Sequence, residues 1–243
     1  MRKFINVLIK AYLFPLRLSS QLAIYVKGLI LRYDEHYLCT IDVINRKFGK
    51  SKGVIIDIGA FNGDSAIFFA KAFSEVKILA FEPNPASFKE AVKVCSPYAN
   101  IQVFNFGFSN ISGIADFFVT SDSVSSSLLS PISNTEIKFE NKISVKIETL
   151  DSYFNDSNEV LLMKLDVQGS ELKILEKGAQ TLSRTRLVLT EMLNSNLYTD
   201  SCQYHQVDEI LRKNGFTLYS IFSSYNNEGT KYFDALYINK QFL

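Results

Sequence analysis

Residues 53–65 read Gly-Val-Ile-Ile-Asp-Ile-Gly-Ala-Phe-Asn-Gly-Asp-Ser. Gly53–Ile58 is rich in β-branched residues and lacks polar alternation, the pattern of a strand covered on both faces of a parallel sheet. Gly59 and Gly63 punctuate a turn, and Ser65–Phe73 then repeats apolar residues at helical spacing. A buried strand that passes through a glycine loop into a helix opens an α/β sheet, and ligands of such sheets sit at the carboxyl ends of the strands.

The alternation continues outward from this unit. Lys77–Phe81 reads as a strand, Pro85–Val94 as a helix and Ile101–Phe106 as a third strand. The middle of the chain breaks the pattern: Ile114–Val119 and Ile143–Thr149 read as strands flanking the Ser-rich stretch Ser121–Ser130, which predicts a small β-insertion. Strand Val160–Leu165, helix Ser170–Leu182, strand Arg186–Glu191 and helix Gln206–Asn214 resume it. Phe216–Phe222 and Phe233–Ile238 have no helix between them, only a polar link with Asn226, Asn227 and Gly229, so they predict an antiparallel hairpin at the sheet edge. The expected fold is a Rossmann-like α/β domain with a mostly parallel seven-stranded sheet. There is no internal repeat, and the domain is placed at residues 51–243 behind a basic apolar helical segment at residues 1–50.

Composition narrows the class. Of 243 residues, 47% are hydrophobic and 13% aromatic, too apolar for a disordered chain. Three widely spaced cysteines form no CxxC pair, which argues against a disulfide framework and for a reducing, cytoplasmic setting. The net charge of +1 excludes a globally basic nucleic-acid binder. The charge is uneven, however: residues 1–32 hold six basic residues and no acid, which leaves the remainder at −5. Lys10 and Pro15 interrupt the apolar runs there, so the segment lacks the roughly 20 uncharged residues of a membrane span and the pattern of a signal peptide. Packing on the domain or on a second copy in a homodimer is the favoured placement. Peripheral contact with an anionic membrane face is the alternative.

The second predicted strand ends in Phe81-Glu82-Pro83, and Glu82 lies 25 residues after Asp57. A carboxylate there suits the two hydroxyls of a ribose. The loop spacing is G-x-x-x-G, not the G-x-G-x-x-G of pyrophosphate-binding turns, and fits a nucleoside with a cationic group better than a dinucleotide. A plain strand-to-helix turn is the competing reading of the two glycines.

VIIDIGAFNGDSA (54–66), AFEPNPASF (80–88), TLDSYF (149–154) and LLMKLDVQGSELKILEKGA (161–179) together resemble the FkbM-type family of S-adenosylmethionine-dependent methyltransferases. The resemblance runs from about Gly53 to the closing strand, and the DVQGSE block is its specific part. It implies a class I methyltransferase fold and S-adenosylmethionine as cofactor. It also implies an acceptor hydroxyl on a sugar of a surface glycan or on a secondary metabolite. By resemblance Asp57, Gly59 and Gly63, with Ala60, Asn62 and Ser65 of the same loop, contact the amino-acid part of the cofactor. Glu82 and Pro83 then lie at the ribose, and Gly107 and Phe108 at the adenine. Ser125–Leu128 matches a family element of unassigned role.

Methyl transfer to oxygen needs an aligned acceptor and a group to take its proton. Asp166 follows the fourth strand of the βα alternation at the carboxyl edge and is the first choice for cofactor and acceptor contact or base. Glu191 ends the fifth, and His205 is the remaining catalytic candidate as the one histidine in that half of the chain. Glu171 is balanced between a site role and a helix-N-terminal carboxylate. No tight ligand spacing marks a metal, and none is assigned. Tyr198, Tyr204 and Tyr225 read as surface aromatics before sugar-stacking ones. Lys164 is unusual in a central strand and either reaches a carboxylate or snorkels to the sheet edge. A nicotinamide-dependent oxidoreductase and a non-catalytic cofactor binder remain the alternatives at this point.

Overall fold

The computed structural model describes residues 35–49, 53–133, 136–156, 158–222 and 231–243. The basic segment at 1–32, Tyr225 and most of the polar link before the closing strand lie outside the described residues. Helix α1 (Glu35–Lys47) leads into strand β1 (Val54–Ile58), helix α2 (Asp64–Ala72), β2 (Lys77–Phe81), α3 (Pro85–Cys95) and β3 (Ile101–Phe104). The insertion follows as β4 (Gly107–Phe108), β5 (Gly113–Thr120) and β6 (Phe139–Glu148). The chain then forms α4 (Leu150–Tyr153), β7 (Val160–Leu165), α5 (Glu171–Leu175), α6 (Ala179–Ser183), β8 (Thr185–Leu193), α7 (Tyr204–Lys213), β9 (Phe216–Phe222) and β10 (Tyr232–Asn239).

The main sheet has the order β3-β2-β1-β7-β8-β10-β9, parallel except for β10, which is antiparallel to both its neighbours. This is the expected seven-stranded sheet with its closing hairpin. Pleating sends Ile56, Ile58, Met163 and Leu165 into one apolar layer and Ile55, Leu162, Leu187 and Leu189 into the other. Helix α1 closes the second layer through Val43 and Ile44, so Glu35–Lys47 packs on the domain core. The insertion is a separate three-stranded sheet, order β4-β6-β5.

Several boundaries shift by one to four residues from expectation, and two differences have a visible cause. The third strand ends at Phe104 instead of Phe106, because Asn105 turns back and donates its amide to the carbonyls of Glu82 (2.9 Å) and Pro83 (3.1 Å). Gly107–Phe108 then pairs with β6 in the small sheet. The predicted helix Ser170–Leu182 is split into α5 and α6. Asp151, from the TLDSYF stretch, caps the second piece: its carboxylate accepts from the Gln180 N–H (3.0 Å), the Thr181 N–H (2.8 Å) and the Thr181 hydroxyl (2.8 Å). That aspartate therefore acts on the scaffold. Asp151→Ala leaves three donors short of a charged acceptor and is expected to cost about 2 kcal/mol, read from the urea midpoint.

Candidate active site

The loop after β1 is pinned from both sides. The Gly59 and Ala60 N–H groups donate to the Phe81 carbonyl at 3.0 Å each, and the Asp166 N–H donates to the Ile58 carbonyl at 3.1 Å. Gly59 has φ +81°, and a Cβ there would stand 1.8 Å from the Asp166 carbonyl oxygen. Glycine is required because two loops cross at backbone distance. Gly63, also left-handed at φ +86°, caps α2 and packs on Cys95.

A cavity of about 490 Å³ opens above these strand ends. Gly59, Ala60, Asn62, Ser65, Glu82, Pro83, Gly107, Phe108, Asp166 and Glu191 all line it, as does Lys164. Asp57 and Gly63 lie directly behind that lining. The Asp57 carboxylate is fully buried and takes the Ser65 hydroxyl at 2.5 Å. His205 sits exposed near the start of α7, outside the lining, so the structure does not bring it to the other candidates. Tyr204 is exposed beside it. Tyr198 is buried instead, its hydroxyl 2.8 Å from the Ser125 carbonyl and 3.0 Å from Gln168 Oε1.

Glu82 is 5% exposed, and each of its oxygens accepts one backbone N–H, from Phe61 and from Asn84, both at 2.8 Å. Each oxygen keeps a second lone pair for a ligand hydroxyl. Burial pushes this carboxyl up to about 7, against the two N–H groups that favour the ionised form.

One face of the sheet edge carries a row of ionisable groups. Register places Asp57 beside Lys164 and Asp234 beside Glu191. Lys164 Nζ stands 3.4 Å from Asp57 Oδ1 and 3.3 Å from Asp166 Oδ2, so this strand lysine reaches carboxylates instead of snorkelling. Burial opposes its charge, yet Asp166 and Asp57 overcome that and hold the ammonium protonated well above the usual lysine range. Gln168, at φ +56°, donates its amide to Asp166 Oδ1 (3.0 Å) and Glu191 Oε2 (2.8 Å). Burial, reinforced by Asp166, Glu171 and Asp234, holds Glu191 well above the usual carboxylate range. Asp166, by contrast, has one side in the open cavity. Glu171 stays out of the lining: it accepts from the Val167 (3.1 Å) and Gly169 (3.3 Å) N–H groups and braces the DVQGSE turn. Ser127 Oγ reaches the Val167 and Gln168 carbonyls at 3.2 and 2.9 Å, which gives the SSSL element its role as a buttress of the same turn.

Gln168, His36, Tyr37 and Asp234 line the cavity without having been singled out as site residues in the sequence. Gln168 lies inside the quoted DVQGSE block, and its signal was the block itself. His36 and Tyr37 come from α1, and Asp234 from β10. His36 Nδ1 is 3.7 Å from Asp234 Oδ2. Burial first, then Lys164, pushes the imidazole down to about 4, while burial pushes Asp234 up to about 7. The imidazole is neutral at physiological pH. Among the described residues no cluster of His, Cys, Asp and Glu has metal-holding geometry, and no helix is long and apolar enough to cross a membrane.

Comparison with known proteins matches this architecture. The fold is shared with the crystal structure of magnesium protoporphyrin IX methyltransferase from Synechocystis PCC 6803 with bound SAM. The TM-score is 0.52 at 9% identity, over 98% of this chain and 97% of that one. A putative sarcosine dimethylglycine methyltransferase from Galdieria sulphuraria aligns with TM-score 0.50 at 13% identity, over 88% and 87%. The 2-O-methyltransferase NoeI of Sinorhizobium fredii is 25% identical over 175 residues, 67% of this chain and 72% of that protein. The methyltransferase FkbM domain matches residues 57–218. That span holds the glycine loop, Glu82 and the DVQGSE turn, and on this match the chain belongs to the FkbM family of methyltransferases.

Proposed function

We propose that the chain is an S-adenosylmethionine-dependent O-methyltransferase whose acceptor is a sugar hydroxyl. One observation carries the reading: a single cavity joins a nucleoside-type wall, made by the Gly59 loop, Glu82, Pro83, Gly107 and Phe108, to a wall of proton acceptors around Asp166. The volume of about 490 Å³ lies within the roughly 300–1,000 Å³ of small-molecule sites. The residues fit the cofactor. Glu82 keeps free lone pairs for two ribose hydroxyls, and Pro83 and Phe108 offer apolar surface for a base. When bound, the cofactor supplies a methyl group on a sulfonium.

Asp166 is the proposed base. It is ionisable, open to the cavity on one side, and oriented by Gln168 and Lys164. Glu191, held by the same amide, lines the cavity beside it and is placed to orient the acceptor. A polyhydroxylated acceptor suits a wall with Glu191, Gln168, Asp234 and neutral His36, which together both donate and accept. The "2-O" in the name of the 25%-identical relative supports transfer to oxygen.

Calorimetric titration of S-adenosylhomocysteine tests the reading. Saturable binding that Glu82→Ala weakens at least tenfold, about 1.4 kcal/mol, supports it, and no binding by the folded chain overturns it. The pH dependence is a further check. Folding favours protonated Glu82, so its contribution to stability falls as pH rises from the usual carboxylate range to about 7. Hydroxyl donors favour the carboxylate, so ligand affinity should rise over that window with proton release. Glu82→Gln should flatten the component due to this residue, separating it from Glu171 and Asp234, which titrate in the same range.

A further inference from the structure

Helix α1 carries its core-facing stripe past the end of the sheet. Thr40, Val43 and Ile44 are buried, and His36 lies four residues before Thr40 and seven before Val43, on the same face of the helix. Register does the same for Asp234. Leu189 and Leu236 pair in the layer that α1 covers, and Glu191 and Asp234, paired one pleat further on, continue that face into the cavity. The two side chains meet there, with His36 Nδ1 3.7 Å from Asp234 Oδ2. That is too long for a hydrogen bond, and among the described residues neither side chain has a hydrogen-bond partner. Ring contacts hold the imidazole instead, with the Tyr37 and Phe222 centroids 3.9 and 6.4 Å away. Strand order limits the occupant. Glu82 follows β2 on one side of β1 and β7, whereas Asp234 lies in β10 on the other, two strands from the β7 end that carries Asp166. Two strand spacings come to about 10 Å, so a molecule held at both Asp166 and Asp234 needs more than one polar group.

We propose that His36 and Asp234 form a subsite that grips a second, non-reacting hydroxyl of the acceptor while the first is methylated beside Asp166, which rests on the sugar-acceptor reading and deepens it. A hydroxyl oxygen about 2.8 Å from both atoms fits the 3.7 Å gap, accepting from an Nδ1–H of the imidazole and donating to the carboxylate. Burial, then the nearby Lys164 ammonium, pushes the imidazole down to about 4, so it carries a single N–H and is not locked to Asp234 as an ion pair. His36 and Asp234 are then specificity-determining residues that select a polyol over a lone hydroxyl. A pair that merely packed α1 against β10 would not sense which hydroxyls the acceptor carries.

The test measures methyl-transfer kcat/KM for methyl glycosides of common hexoses and 6-deoxyhexoses and, for the best of them, its monodeoxy derivatives. Removing one particular non-reacting hydroxyl should cost wild type tenfold or more. The same removal should cost His36→Phe and Asp234→Ala less than threefold. Asp234→Asn, which keeps an accepting oxygen, should stay at least tenfold sensitive. Calorimetry with S-adenosylhomocysteine, bound within threefold of wild type, shows that each variant is folded. A wild type indifferent to every non-reacting hydroxyl, or variants as sensitive as wild type, overturns the proposal. So does a His36→Phe loss equal for every acceptor, the result that a base would give. If one variant does not fold the other decides, since the two residues lie on different elements. No transfer to any glycoside by a chain that binds S-adenosylhomocysteine removes the sugar reading and the subsite together, an outcome distinct from transfer without discrimination.

Discussion

Gly59→Ala is expected to lose about 3–5 kcal/mol of stability, the sum of left-handed backbone strain and steric overpacking. The added carbon would meet the Asp166 carbonyl oxygen at 1.8 Å and its carbon at 2.8 Å, both backbone atoms that no rotamer change can move. Relief requires the loop after β1 to part from the loop after β7. That separation strains the Asp166 N–H bond to Ile58 and the two bonds from Gly59 and Ala60 to Phe81. Any protein that still folds should therefore have lost S-adenosylhomocysteine binding by two orders of magnitude or more. Gly113→Ala is the control: Gly113 also has positive φ, +142°, but nothing lies within 4 Å of its added carbon. It should cost only the backbone strain, about 1–3 kcal/mol, and leave binding intact. Urea midpoints and calorimetry on both variants separate crowding from backbone strain.

Asp166→Asn should reduce methyl transfer by about 10²–10⁴-fold, the usual contribution of a positioned base. Asparagine keeps the shape and still accepts from Gln168, so the geometry of the turn survives while the proton acceptor is lost. Binding of 5′-methylthioadenosine, which lacks the amino-acid part of the cofactor and carries no acceptor, should change less than threefold. Single-turnover transfer of labelled methyl to a panel of sugar glycosides checks the rate. An asparagine variant within threefold of wild type would move the base to the neutral His36 beside Asp234, and His36→Gln would then carry the larger loss.

Much of this arrangement was legible in the linear chain, for a physical reason. Strand ends of a parallel sheet converge on one edge, so a motif placed at a strand end is also placed in space. Asp57, Gly59, Glu82 and Asp166 could be placed at one sheet edge on that basis, whereas Lys164 was left between a carboxylate partner and snorkelling until the structure put it beside Asp57 and Asp166. Side chains brought in by packing gave no such signal. His36 precedes β1 by a whole helix and is marked by no motif. Asp234 reaches the cavity only because β10 inserts between β8 and β9, which sets it opposite Glu191. A strand order of β8-β9-β10 would have carried it away. His205 drew attention as the one histidine downstream, but α7 presents it to solvent. The split of the predicted helix after DVQGSE depended on a cap from Asp151, nearly thirty residues earlier in the chain.

The cavity wall formed by α1 and β10 has a practical corollary for comparing relatives. His36, Tyr37 and Asp234 all fall outside residues 57–218, the part that matches the family. Two members could agree at every position of that shared stretch and still present different surfaces to an acceptor. Grafting the flanks of one member onto the core of another should then move acceptor preference while cofactor affinity stays with the core. A fragment cut to the matched stretch would lose β10 and leave β8 with a bare hydrogen-bonding edge, an invitation to pair with a second molecule. For this chain, the borders of sequence similarity are the wrong place to cut.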